Sequence, residues 1–254
     1  IDWRYWSTAW FDKNEPLILH GAHPGGQRFK TSWDRLNAET AFMYLLAIGA
    51  NENKALSPQS WHRLGSFVST TGNQSFASAD LGLFTSQYSL EILSSSKLPF
   101  SNLDLAEQAR KAALANHFVS SSAAKRFRTY EKFWGLSAGD GPDGYIDYSP
   151  DEHDGTANLT ASLASIAVAP ELVMSNVRNA VACNQPPLLG KYGFSNVNLD
   201  KNWRSEDIVG IDVGMAVMAI DNFFHKGRIR QAFHSLRAVQ NSLKRLGNLN
   251  KTQS

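Results

Sequence analysis

The chain reads as an all-α protein with long polar loops between its helices, and three observations predict that class. Apolar residues recur at three- and four-residue spacings over several long stretches, as amphipathic helices require. Strand-like alternation is nearly absent. Gly, Pro, Asp and Asn gather between the periodic stretches, where they favour turns and carry most of the acids. With 254 residues and 43% hydrophobic content, a sizeable core is available. Twenty-five basic residues against 23 acidic ones leave a formal +2, too balanced to point to nucleic acid or an anionic membrane surface as the partner. No run approaches the roughly 20 apolar residues of a membrane span. Cys183 is the one cysteine, which excludes an intrachain disulfide and a multi-cysteine metal site.

From Trp3 to Phe29 aromatics alternate with turn residues, a rim of loops with one short extended piece at Leu17 to His20. The first predicted helix covers Asp34 to Ile48, where Leu36, Phe42, Met43, Leu45 and Leu46 follow the period and Gly49 stops it. Ser57-Pro58 signals a short helix through Trp61 and Leu64 to Phe67. Residues 69–82 are rich in Ser, Thr, Gly and Asn and read as loop, while Leu83 to Leu93 is ambiguous between strand and helix. Ser101-Asn102-Leu103-Asp104 resembles a capping box ahead of a helix to about Val119. Thr156 to Val168 and Pro170 to Val181 read as two helices meeting at Ala169-Pro170, since Pro suits the first position of a helix. Gln185-Pro186-Pro187 ends that pair. Tyr192 to Trp203 is a second aromatic, Asn-rich loop, and Val213 to Phe224 and Arg228 to Leu246 complete the helices. The organisation is one domain over 1–246 with a polar tail at 247–254.

The chemistry concentrates in Trp134 to Gly155, where 22 residues hold five aspartates, one glutamate, one histidine, five glycines, two prolines and three aromatics. That composition predicts a long ordered loop with tight turns. Its Gly135-Leu-Ser137-Ala-Gly139 matches the nucleophile elbow of serine hydrolases. The elbow requires a preceding apolar strand and a following helix, and neither flank fits. The spacing of Asp140, Asp143, Asp147, Asp151 and Asp154 does not match a calcium loop, and the histidines form no zinc motif, so no metal is expected. Paired carboxylates for glycoside hydrolysis fit better. The candidates are Glu39, Asp140, Asp154 and Asp212. Glu39 shares a helix face with Phe42, Met43 and Leu46 and is a candidate proton donor; the competing reading pairs it with Arg35 or Arg28. For Asp154 and Asp212 the competing reading is N-capping, and for Asp140 a turn role.

At these residues the chain resembles the glucoamylase-like domain family shared by endo-β-1,2-glucanases and the transglycosylating part of cyclic β-1,2-glucan synthases. The matching blocks are Ile1-Asp2-Trp3, Thr31-Ser32-Trp33, Asn37-Ala38-Glu39, Tyr44 to Gly49, Trp134 to Ala138 with Asp140-Gly141-Pro142 and Gly144-Tyr145. They continue through Asp154-Gly155-Thr156, Ala169-Pro170-Glu171, Tyr192-Gly193-Phe194, Asn198, Gly210-Ile211-Asp212 with Gly214, and Ile220-Asp221-Asn222. The resemblance implies an (α/α)6 toroid with a glucan cleft at one end, no organic cofactor, and a periplasmic or secreted location. It implies hydrolysis of a β-linked glucan, β-1,2 foremost, with a transglycosylase or a non-catalytic glycan-binding relative as alternatives. Glu39 is then expected to line the cleft. Trp33, Trp134, Tyr145 and Phe194 are expected to stack on or shape sugar subsites, with Arg28, Gln87 and Tyr192 as further substrate contacts. Ser86-Gln87 and Ser89-Leu90 stand where the family usually has His-Gln and Ser-His, and Val213 and Met215 replace Gln and Pro beside Asp212. Seven or eight helices against the toroid's twelve imply that N-terminal helices are missing, their place taken by the absent segment or by an oligomer partner.

Overall fold

The computed structural model describes residues 17–36, 39–50, 55–65, 68–77, 82–93, 103–184 and 186–252. Among them helices dominate, and the strands are pieces of two to four residues. β1 (Ile18–Leu19) pairs antiparallel with β2 (Ser32–Trp33), placing the expected extended piece, while the aromatic stretch before Leu17 lies outside the described residues. α1 spans Thr40–Ile48 rather than starting at Asp34. The backbone ahead of it pairs elsewhere: Gly65 N–H donates to the Asp34 carbonyl at 2.7 Å and Leu36 N–H to the Gly65 carbonyl at 2.9 Å. Ser57 Oγ accepts from Gln59 N–H at 3.3 Å and opens a 3₁₀ turn over Pro58–Arg63, tighter and shorter than the predicted helix; Phe67 lies outside the described residues.

The loop predicted over 69–82 contains a hairpin instead, β3 (Val68–Thr71) with β4 (Gln74–Ala77). Its small polar residues bond across the strands, Thr70 Oγ1 to Ser75 Oγ at 2.9 Å, while Phe76 is buried against Ala112 and Ala115. The ambiguous stretch is helical, α2 (Phe84–Ile92). Asp104 caps α3 (Leu105–Ser122), accepting from Ala106 N–H at 3.0 Å and Glu107 N–H at 3.1 Å; Ser101 and Asn102 lie outside the described residues. Within the Asp-rich loop β5 (Gly139–Gly141) and β6 (Gly144–Ile146) form a second hairpin.

The predicted helix Thr156 to Val168 shrinks to a single turn and a half. Ala157–Asn158 joins a sheet as β7, α4 covers only Leu159–Leu163, and turns follow before α5 (Pro170–Ala182), which starts at its proline as predicted. The second aromatic loop region carries β8 (Leu189–Gly190), β9 (Gly193–Phe194), β10 (Asn196–Asn198) and β11 (Trp203–Arg204), with β10 between β11 and β7. α6 (Gly210–Phe224), α7 (Arg228–Ser235) and α8 (Arg237–Thr252) follow, α8 continuing beyond Gly247, where a polar tail is expected.

Two of these helices run the same way, which decides where their charged ends meet. Leu83, just before α2, packs in one apolar cluster with Met215 early in α6, while Asn222 near the end of α6 bonds Glu91 near the end of α2. Phe42 near the start of α1 lies 5.6 Å from Tyr88 of α2, and Ala41, Tyr44 and Ile48 of α1 join Leu90 and Leu93 in one apolar cluster. The starts of α2 and α6 therefore share one end of the bundle.

Candidate active site

That end is built by asparagines. Asn116 of α3 clamps the Asp-rich loop with both amide atoms, accepting from Leu136 N–H at 2.8 Å and donating to its carbonyl at 2.9 Å. Asn176 of α5 does the same at Trp134, at 3.2 and 2.7 Å. A loop rich in glycine is thereby held as firmly as a strand, because its backbone groups find partners. The three residues of the false nucleophile motif each have a place in this clamp. Ser137 is buried and its Oγ accepts from Phe84 N–H at 3.3 Å, at the start of α2. Gly135, at φ 133°, passes so close to Asn158 that a Cβ there would sit 2.5 Å from the Asn158 carbonyl oxygen. Gly139 faces Asn196 Nδ2 and Asn158 Nδ2, 2.7 and 3.2 Å from where a Cβ would be.

Asp212 lies in the first turn of α6, but the helix cap is Val209, so the carboxylate is not an N-cap. It is 3% exposed and accepts from Asn158 Nδ2 at 2.7 Å. Burial pushes its pKa up to about 6; the Asn158 hydrogen bond opposes that rise and the Asp140 charge adds to it. Asp140 pairs across the hairpin with Tyr145, and its Oδ2 accepts from Ser205 Oγ at 3.3 Å while Asn196 Nδ2 holds its carbonyl at 2.9 Å. Tyr145 is 64% exposed; partial burial of its hydroxyl, then the charges of Asp212, Asp147 and Asp140, hold its pKa above the usual value. Beside Asp212 lies a polar pocket of about 10 Å³, room for roughly one water, lined by Thr160, Phe194, Asn196, Ser205 and Asp207 among others. The sequence-predicted residues Asp140, Tyr145, Phe194 and Asp212 thus come together.

Glu39 stands immediately before α1, with Oε2 buried and without a hydrogen-bond partner among the described residues. Arg35 forms an ion pair with its neighbour Asp34 at 3.5 Å. Glu39 raises the pKa of Tyr88, after burial of that hydroxyl, so the carboxylate and Tyr88 lie close. Trp33 is half-buried nearby: its carbonyl accepts from the Tyr44 hydroxyl of α1 at 2.6 Å, and its ring packs edge-on against His20 at 4.6 Å.

Other predicted residues sit apart from these two groups. Trp134 is 3% exposed, its indole N–H on the Leu172 carbonyl at 3.1 Å, so it fixes the loop from inside and offers no face for stacking. Gln87 is fully buried and donates to Ser165 Oγ at 2.6 Å, a strut between α2 and the turn after α4. Asp154 shapes its own turn, accepting from Thr156 N–H at 2.9 Å, with Lys201 Nζ 4.0 Å from its Oδ2; since α4 starts at Leu159, this is no helix cap. Arg28 and Tyr192 are exposed, Tyr192 under Lys191 Nζ at 4.9 Å. Sequence reasoning missed Asn158, Asn196 and Ser205. Each acts on an acid 50 or more residues away, and the sole local hint was Asn158 standing three residues before a helical N–H it caps.

At the starts of α2 and α6 the structure thus gathers Asp212, Asp140 and Tyr145 among hydroxyls, amides and a small polar pocket. The chain belongs to the glycoamylase family, described as "Putative glucoamylase", whose profile matches residues 30–237. Among solved structures it is similar to a protein of that same description from Bacteroides uniformis, with 25% identity and a TM-score of 0.82, covering 96% of this chain and 62% of that one. It is also similar to a β-1,2-glucanase from Parabacteroides distasonis (22% identity, TM-score 0.81, covering 96% and 39%). An endo-β-1,2-glucanase from Chitinophaga pinensis, in complex with sophorotriose and glucose, shares 21% identity at a TM-score of 0.80, covering 96% and 62%. The chain therefore spans less than two thirds of the length of these neighbours. No curated protein matches it significantly.

Proposed function

We propose that the protein is a glycoside hydrolase acting on a β-linked glucan, β-1,2 foremost, from a cleft at one end of an (α/α)6 toroid. The observation that carries this reading is the buried Asp212 with Asp140 beside it at the start of α6, while Glu39, just before α1, has its Oε2 buried and without a partner among the described residues. Cleavage needs one carboxylic acid to protonate the departing glycosidic oxygen and a second carboxylate to act on the other side of the bond. In this reading Glu39 gives its proton to that oxygen as the bond to the anomeric carbon breaks. Asp212, ionised above about pH 6, takes a proton from the water whose oxygen adds to that carbon. One glucan and one water become two shorter chains, one with a new reducing end. Tyr145 and Phe194 on the loop side and Trp33 on the Glu39 side shape the sugar subsites.

The glucanases of Parabacteroides and Chitinophaga support the linkage by the substrate in their names. In the intact protein Glu39→Gln should lower release of reducing ends from β-1,2-glucan by about 10³-fold, within the usual worth of a general acid. Wild-type turnover in that variant would remove Glu39 from the reaction. Chromatography of the products separates the neighbouring readings: longer or cyclic products mean glycosyl transfer, and oligosaccharide binding without any product means a non-catalytic glycan receptor.

A further inference from the structure

We infer that Asn158 is a positioning residue that selects which oxygen of Asp212 exchanges the proton. The inference rests on the hydrolase reading given above, but its geometric basis is independent of it. Asn158 is 1% exposed and every polar group it carries toward these neighbours is committed. Its backbone N–H donates to the Gly135 carbonyl at 2.7 Å, its Oδ1 accepts from Ala161 N–H at 2.8 Å as the cap of α4, and its Nδ2 donates to Asp212 Oδ2 at 2.7 Å. The orientation of the amide is not free. Ala161 N–H can only donate, so the atom facing it must be the amide oxygen, and the atom facing Asp212 must be the NH₂ group.

A permanent donor on Oδ2 makes that oxygen an acceptor in both protonation states of Asp212. The exchangeable proton therefore resides on Oδ1. A neutral amide also orients the carboxylate without the charge of a lysine or arginine, which would hold it ionised far into the acid range. The titratable groups facing the same carboxylate are Asp140 and Tyr145 from the hairpin and Asp207 across the small pocket. All three are anionic or neutral, so none of them brings a positive charge to the carboxylate. Gly135 and Gly139 belong to the same device, because a side chain at either would push on Asn158.

The test is Asn158→Ser in the intact protein, a variant that keeps a capping hydroxyl for Ala161 N–H, is too short to reach Asp212 and adds no charge beside it. Two readouts are taken: the pH profile of kcat and KM on β-1,2-glucan, and the ¹³C titration of the Asp212 side-chain carboxyl by NMR, assigned with Asp212→Asn. We expect kcat to fall about 100-fold, KM to change by less than about threefold, and the acid limb and the carboxyl titration both to move upward by about one pH unit or more. A fall in kcat with the limb and the titration unmoved would reduce Asn158 to the cap of α4. If the wild-type protein cleaves no glucan, the titration decides alone: a shift keeps the positioning role and removes the hydrolase reading, and no shift removes the positioning role. Should Asn158→Ser fail to fold by circular dichroism, Asn158→Thr serves with the same readouts, since threonine also caps helices, is uncharged and is too short to reach Asp212.

Discussion

The two ends of α6, about 20 Å apart along its fifteen residues, each hold a buried carboxylate beside an asparagine, and the comparison separates the acid proposed to react from one held in an ion pair. At the start, Asp212 meets Asn158 and, among the described residues, no cation; its neighbours are Asp140, Tyr145 and a pocket. At the far end, Glu91 of α2 is fully buried and meets Asn222 and Arg230, the latter at 3.3 Å. Arg230 also donates through Nε to the Leu90 carbonyl at 2.6 Å. Burial pushes the Glu91 pKa up to about 7 in spite of Arg230 and Asn222, which both oppose the rise. So a perturbed carboxyl alone does not mark chemistry. What distinguishes Asp212 is the absence of a paired cation among its described contacts, together with a second acid beside it; a cavity does not, since one of about 550 Å³ adjoins Asn222 and Arg230 at the far end.

The largest effect should come from the start of α6. Asp212→Asn is expected to lower release of reducing ends by about 10³-fold while the melting temperature holds or rises, because it removes a carboxylate whose burial disfavours its charged form. Retained turnover would put Asp212 in the same class as Glu91. At the far end Arg230→Ala should cost about 3–5 kcal/mol in chemical denaturation by stranding Glu91, with kcat of the surviving folded protein unchanged. A selective loss of kcat without loss of stability would erase the distinction between the ends. Between the two in character, Gly139→Ala should cost about 1–3 kcal/mol, since its methyl would meet Asn196 and Asn158, and should lower kcat as well because both amides serve the acids.

The smallest effect is in pH dependence. Glu91 has a folded pKa near 7 against 4.5 for an unperturbed glutamate, so the unfolded chain ionises first as pH rises. Its contribution to stability is complete below about pH 4.5 and is lost as pH climbs through about 7. Asp212 acts with the same sign between 3.8 and about 6. Thermal melts of Glu91→Gln should fall less steeply over pH 4.5 to 7 than those of wild type, with an equal slope in both proteins sinking the assignment.

How much of this was legible in the sequence follows from the range of the forces involved. α5 starts at Pro170 and α6 ends at Phe224 as their local patterns predict, since caps and apolar period act within a turn or two; the capping box expected from Ser101 gives way to Asp104 as the cap of α3, three residues later. The helix expected at Thr156 to Val168 was cut to one short piece because Asn158 caps late and its backbone belongs to the sheet with Asn196, a partner 38 positions on. The Ser- and Thr-rich stretch became a hairpin because Phe76 found Ala112 and Ala115 on α3. In the site, Asp212, Asp140 and Glu39 stood out as acids beside glycine turns or on apolar faces. Trp134 and Gln87 are buried instead of facing a cleft, the indole N–H of one donating to Leu172 and the amide NH₂ of the other to Ser165, distant segments that no local pattern reveals.

The amide of Asn222 has a mechanical consequence of its own. Its NH₂ group holds the Glu91 carbonyl at 2.8 Å, and its oxygen accepts from Ile229 N–H at 3.1 Å and Arg230 N–H at 3.4 Å. One side chain therefore rivets three helices, α2, α6 and α7. Helix α7 cannot peel away without also freeing the last turn of α2, which makes these segments a single cooperative unit in local unfolding.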